Sequence, residues 1–359
     1  MPQIGVAPRS TPGGAVRDTA RARALAAFQG LALGDALGMP TQSMSRERIA
    51  ADHGRIRGLV AAGPHQQIAA GMPAGSITDD TEQAILLARL LIDGGGTVSP
   101  AVFAAELLAW ERAMEARGSL DLLGPSTRAA LQRLQDGMPP EEAGRFGATN
   151  GAAMRITPVG IAEPVEPLRA FVDAVAAVSA LTHNTAIGIA SAAAVGAAVS
   201  AGIDGADTPE ALDVAVAAAR EGARRGHWVA GGDIAARLEW SIPYLLDRAP
   251  REQDDALAEV IGTSVAAQES VVAALALVAA TIAGSEPAHP DPDAAWDTLC
   301  RAASLGGDTD TIAAMAGAVL GATGAADWPR SAVETVRRVN GIELERLVDG
   351  LLQLRRRHG

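Results

Sequence analysis

Cysteine is all but missing from this 359-residue chain. Cys300 stands alone, so no intramolecular disulfide can form, and no Cys/His spacing suggests structural zinc. Aromatic residues make up 3% of the chain: four Phe, one Tyr and five Trp. Sites that shelter carbocations need aromatic walls, which argues against an aspartate-rich isoprenoid synthase. The scattered Trp110, Trp228, Trp240, Trp296 and Trp328 share no spacing and read as core or edge packing. Basic residues are outnumbered, 30 Lys and Arg against 42 Asp and Glu, for a formal charge of -12. That is the wrong sign for a phosphate backbone, so no nucleic-acid partner is expected; the acidic balance serves solubility. The N-terminal "MPQIGVAPRSTPGG" lacks the apolar core of a signal peptide, and residues 1–17 read as a disordered tail. Cytoplasmic residence is the matching expectation.

Convincing period-2 strands are also missing. The run from Ala186 to Ile203, "AIGIASAAAVGAAVSAGI", is long and uncharged enough to suggest a membrane span. It is mostly Ala, Gly and Ser, with no interfacial aromatic belt. The expectation is a buried helix packed closely against its neighbours, and no membrane.

What is present is helical pattern almost throughout. "DTEQAILLARLLIDGG", "SPAVFAAELLAWERAMEA", "PLRAFVDAVAAVSALT" and "DTIAAMAGAVLGA" carry apolar residues at three-to-four spacing. Alanine favours helix, and small side chains let helix backbones approach closely. "DGGGTVSP" ends one helix and opens another, with Ser99 as N-cap and Pro100 at the first helical position. "SEPAHPDPD" reads as a Pro-rich surface loop. No composition break divides the chain, so residues 18–359 are expected to form one all-α domain.

Two acidic stretches stand out. "GSITDDTEQ", residues 75–83, sets Asp79 and Asp80 side by side at a helix start. Capping explains such a site: carboxylates suit a first turn, and Asp79 with Glu82 fits a capping box. "SLGGDTDTIAAMAG", residues 304–317, repeats the pattern. There Asp308 and Asp310 alternate with Thr309 and Thr311, after Gly306-Gly307, which allow a tight turn. Capping uses one acid well; it does not explain four acids and their threonines. If the two helix starts converge, their like charges require a cation. The all-oxygen donors favour Mg²⁺ or Mn²⁺, and four carboxylates suit two ions.

Other stretches carry a chemical reading beside a bland one. "GLALGDALGMPTQ" embeds Asp35 among Gly30, Gly34 and Gly38. Tight helix packing with a locally bonded Asp35 competes there with a loop, Met39 to Gln42, set against a ligand. In "GATNGAAMRITPVG", Gly147, Asn150 and Gly151 can present backbone N–H groups to an anion. Arg155 either binds that anion or anchors the loop to a buried carboxylate. "ALTHNTA" places His183 in a polar patch before the small-residue helix; such a histidine is structural or functional. Gln268 and Glu269 read simply as helix initiation.

Assembled in order, "GLALGDALG", "GSITDDT", "TNGAAMR", "LTH" and "GGDTDT" resemble the ADP-ribosylglycohydrolase family across about residues 28–322. The resemblance implies a compact, orthogonal multi-helix domain with a binuclear Mg²⁺ or Mn²⁺ centre. By motif match, Thr78, Asp79, Asp80, Asp308, Asp310 and Thr311 would hold the metals. Asp35, Gln42, Asn150, Gly151, Ala152, Ala153, Met154, Arg155 and His183 would contact ADP-ribose. Asp79, Asp80 and Asp310 would be catalytic, with Asp79 or Asp80 orienting or deprotonating the water. The implied substrate is an ADP-ribosylated protein or a related small molecule. One departure matters: many members carry a glutamate where this chain has Gln42. An amide cannot serve as general acid or base. Either another acid does that work, the substrate differs, or the chain binds ADP-ribose without cleaving it.

Overall fold

The computed structural model describes residues 12–118, 123–284 and 293–358. Among these residues the regular structure is helical, and the only strand-like pairings are isolated bridges. The first helix begins at Pro12, inside the segment expected to be tail; residues 1–11 lie outside the described residues. So do residues 285–292, which carry most of the expected Pro-rich loop. Ser99 does sit at the N-cap of the Pro100–Ala116 helix, but its side chain makes no capping hydrogen bond.

The core is built on helices apolar on every side. Ala186–Ile203 is buried over 94% of its length inside the protein, as its Ala/Gly/Ser content predicts: small residues on all faces suit a helix surrounded by helices. Val271 to Leu277 and Ile312 to Leu320 are likewise buried. Outer helices are amphipathic instead. Leu344–His358 turns Val348, Leu351 and Leu352 to the core, each worth ~1.5–3 kcal/mol when fully buried.

One helix pair positions everything that follows. Pro12–Gly38 runs antiparallel to Thr309–Ala322 with the backbones nearly touching. A Cβ at Gly30 would lie 2.1 Å from Gly317 O, at Gly34 2.1 Å from Ala313 O, and at Gly38 2.3 Å from the Asp310 backbone. The reading of these glycines as packing residues therefore holds. The contact also sets a register: it delivers the Met39–Gln42 turn to the start of Thr309–Ala322. Thr41 and Thr309 lock that junction, their hydroxyls 3.0 Å apart and each reaching the Gly38 carbonyl.

The tryptophans divide. Trp328 is buried and donates to Ala26 O, and Trp110 donates to Glu82. Trp228, however, is 83% exposed, so the expectation of core or edge packing fails there.

Candidate active site

The two acidic helix starts meet. Thr311 Oγ1 lies 3.3 Å from Asp80 Oδ2, and Asp79, Asp80, Asp308, Asp310 and Thr311 line a single cavity of about 230 Å³. Gln42, Asn150, Gly151 and Met154 line it too.

Capping does not occupy these acids. The N-cap of Asp79–Asp93 is Thr78, whose hydroxyl accepts from Asp80 N at 3.4 Å. Glu82 does not close a capping box; it turns away to Trp110 and Arg117. The helix start is satisfied from another helix. Asp35 accepts from Thr78 N at 3.0 Å, Thr81 N at 3.1 Å and Thr81 Oγ1 at 2.5 Å, so a neighbouring carboxylate meets the free N–H groups of the first turn. Asp308 is the N-cap of Thr309–Ala322 by position, yet its side chain makes no capping bond. It accepts instead from the Asn150 amide, which also donates to Ser270 Oγ. Gly306 and Gly307 do make the tight turn before it, at φ 77° and 76°.

Burial and mutual repulsion govern the electrostatics. Burial first, then the charges of Asp35 and Asp308, raises the Asp79 carboxyl well above its ordinary value. Asp80 is raised by burial and then by Asp310, Asp35, Asp79 and Asp308; Asp310 by burial and then by Asp308, Asp35 and Asp79. Burial raises Asp308 as well, and it pushes Asp35 up to about 6. Asp80 Oδ1 and Asp310 Oδ1 are buried without any hydrogen-bond partner. Among the described residues, no three acid, imidazole or thiolate groups are already gathered about one point as a metal would gather them. The donors are nonetheless carboxylate and hydroxyl oxygens throughout, with two buried carboxylate oxygens unanswered. That is the chemistry a hard divalent cation fits.

Several expected contacts lie behind the cavity wall. Thr78, Asp35, Ala152, Ala153, Arg155 and His183 are buried and do not line the cavity. Among the described residues Arg155 forms no ion pair with a carboxylate. It donates to Gln83 Oε1 at 2.8 Å and to Thr182 Oγ1 at 2.6 Å, and burial lowers its pKa to about 10. Gln83 in turn donates to Asp79 Oδ2 at 3.2 Å. His183 touches Thr182 Oγ1 at 2.7 Å and Thr149 Oγ1 at 3.0 Å; burial and then the Arg155 charge hold its pKa far below the usual value. The glycines of "GATNG" serve close approach. A Cβ at Gly147 would lie 2.1 Å from Thr182 O, and one at Gly151 2.8 Å from the His183 ring.

Sequence reasoning missed Ser43, Ile68, Leu123, Gly124, Pro125, Thr149 and Val265 in the lining, and Gln83 behind it. A signal existed for Gln83, which stands four residues after Asp79 and so shares its helix face. None existed for Ser43, which the Gly307 pairing holds at φ 59°. Gln268 and Glu269 bond to Gly232 N and Ser264 N, a local structural role.

The chain is an all-α fold with buried carboxylates gathered in one cavity, and comparison with known proteins finds the same fold. The family model for ADP-ribosylglycohydrolase matches residues 16–359; the chain belongs to that family. It is 35% identical over 301 residues to the uncharacterized protein YegU of Escherichia coli (strain K12), covering 84% of this chain and 87% of that one. It is 28% identical over 324 residues to the ADP-ribosylarginine hydrolase Tri1 of Pseudomonas putida (strain GB-1), covering 88% of this chain and 74% of that one. A solved structure titled "ADP-ribosylglycohydrolase-related protein complex" shares the fold, with TM-score 0.63 and 24% identity, covering 95% of this chain and 100% of that one.

Proposed function

We propose that the chain is a divalent-metal-dependent hydrolase of the glycosidic bond between ADP-ribose and an acceptor, either a protein side chain or a small molecule. The observation that carries this reading is the meeting of four acids from two distant helix starts, with Asp80 Oδ1 and Asp310 Oδ1 buried and unanswered. Asp79, Asp80, Asp308 and Asp310, with the Thr311 hydroxyl, would hold Mg²⁺ or Mn²⁺, two ions balancing four carboxylates, while the Thr78 hydroxyl, behind the wall, donates to Asp80 Oδ2. Bound there, the ions supply positive charge and Lewis acidity next to the sugar.

The chain's own residues do the rest. Asp79 is held from behind by Gln83 and, as a carboxylate, accepts a hydrogen bond from the attacking water and orients it. The surrounding carboxylates stabilise the positive charge that develops on the sugar as the bond to the acceptor breaks. Asn150, tied to Asp308 and Ser270, fixes the opposite wall. At about 230 Å³ the cavity is smaller than the ~300–1,000 Å³ of sites that engulf a whole ligand. It suits one sugar ring at the acids, with the remainder of the ligand lying across the mouth. Gln42 lines the cavity as a neutral amide and can supply no proton to the departing acceptor.

That same residue supports a second reading, a protein that binds ADP-ribose without cleaving it. Incubation with Mn²⁺ and either ADP-ribosyl-arginine or ADP-ribosyl-serine peptide separates the two. Release of ADP-ribose that chelation abolishes is the expected result. Affinity by calorimetry without release would establish the binding protein, and neither affinity nor release would reject both.

A further inference from the structure

Arg155 is fully buried behind the cavity wall, its hydrogen-bond partners are the neutral Gln83 and Thr182, and among the described residues no acid pairs with it directly. Its guanidinium has donors and no acceptor, so every hydrogen bond leading away from it has a forced direction. Thr182 Oγ1 must accept from Arg155. Thr182 is itself buried, and its own hydroxyl proton has His183 Nδ1, 2.7 Å away, as acceptor. The opposite tautomer, with the proton on Nδ1, would leave the Thr182 proton buried without an acceptor, at a cost of ~1–3 kcal/mol. A doubly protonated ring is opposed by burial and by the adjacent Arg155 charge. The ring is therefore neutral with its proton on Nε2, and it donates to Thr149 Oγ1 at 3.0 Å. Thr149 lines the cavity and has already accepted this bond. Its own O–H cannot point back at the ring, so it points at whatever occupies the cavity.

We propose that Thr149 is a ligand-binding residue whose hydroxyl is a fixed hydrogen-bond donor to an acceptor oxygen of the ligand, its direction set by the buried chain Arg155, Thr182, His183, Thr149. Arg155 is the positioning residue, and it works in two directions. Toward the second wall it takes the carbonyl end of Gln83, which leaves the Gln83 amine to face Asp79 Oδ2. One buried cation thus makes the Thr149 hydroxyl a donor to the cavity and sets an amide donor against the Asp79 carboxylate. The hydroxyl proton favours a ligand that presents an acceptor oxygen at that point, a phosphate oxygen or a sugar hydroxyl, over one that presents only donors.

The ligand half of this inference rests on the reading of the chain as an ADP-ribosyl hydrolase; the direction of the chain does not. Two measurements keep them apart. In the full-length protein, ¹⁵N shifts of the His183 ring, assigned against a His183→Gln variant, are expected to show Nε2 protonated and Nδ1 bare from about pH 6 to about pH 8. A ring protonated on Nδ1, or on both nitrogens, would overturn the proposal. Calorimetry with Mn²⁺ present and ADP-ribose as probe tests the ligand contact. Thr149→Val is expected to weaken ADP-ribose binding about tenfold or more, and Thr149→Ser to restore it to within about threefold. Both variants should bind Mn²⁺ alone as the unaltered chain does, which separates a lost contact from a collapsed site. Equal ADP-ribose affinity in Thr149→Val and the unaltered chain would overturn the role of Thr149. Failure of the unaltered chain to bind ADP-ribose would instead reject the proposed function, leaving the His183 tautomer to decide the direction of the chain.

Discussion

Asp80 Oδ2 and Thr311 Oγ1 stand 3.3 Å apart although 231 residues separate them. The contact joins the two acidic helix starts and turns two unremarkable first turns into a single site.

The orphaned oxygens of Asp80 and Asp310 predict where metal affinity resides. Loss of groups that only support metal ligands costs ~10–100-fold in affinity. Asp80→Asn and Asp310→Asn should each lower Mn²⁺ affinity by about 100-fold or more, measured by titration calorimetry. They should also leave the thermal midpoint of the metal-free protein unchanged or raised, since each removes a repelling charge. Variants that bind Mn²⁺ as tightly as the unaltered chain would place the ions elsewhere.

Position 42 tests the reaction. Gln42 lies on the cavity wall, and a carboxylic acid there could donate a proton where the amide cannot. General acid–base groups contribute ~10²–10⁴-fold. Gln42→Glu is therefore expected to change turnover of ADP-ribosyl substrates by at least about tenfold, read from initial rates at saturating substrate. An unchanged rate would put this residue outside the chemistry.

Stability should depend on pH in a way that metal reverses. The buried carboxyls of Asp79, Asp80 and Asp310 are raised from 3.8, and Asp35 to about 6. Between 3.8 and those raised values the native metal-free protein holds more protons than the unfolded chain. Its stability from these groups thus falls as pH rises through that window. His183 acts oppositely: below 6.5 the unfolded chain takes up a proton that the native ring refuses, so its contribution is lost as pH falls. Mn²⁺ needs the charged carboxylates. The rise in melting temperature it produces should accordingly be larger at about pH 7.5 than at about pH 5, by scanning calorimetry. A rise independent of pH would remove the acids from the metal site.

The helix pair that sets the register is equally testable. A Cβ at Gly34 would lie 2.1 Å from the Ala313 carbonyl oxygen, which is backbone and cannot swing aside, whereas one at Gly58 meets nothing within 4 Å. Gly34→Ala should destabilise the protein by at least about 3 kcal/mol in urea, and Gly58→Ala by no more than about 0.5 kcal/mol. Comparable stabilities would show that the two backbones are not in close contact.

The chain's own order of residues determined the helices, their Ala- and Gly-rich buried faces and the chemistry of the acids. Those properties follow from spacing and side-chain type within a few turns. The tertiary structure alone decided which polar groups face the cavity. Asp35, Arg155 and His183 carry motif positions and sit behind the wall, while Thr149, at the edge of "TNGAAMR", and Ser43, marked by nothing local, line it. A helix start specifies the direction of its own side chains but not what is packed against it. That depends on contacts such as Gly34 with Ala313 and Gln83 with Arg155, between residues 279 and 72 positions apart, which exist only once the chain has folded.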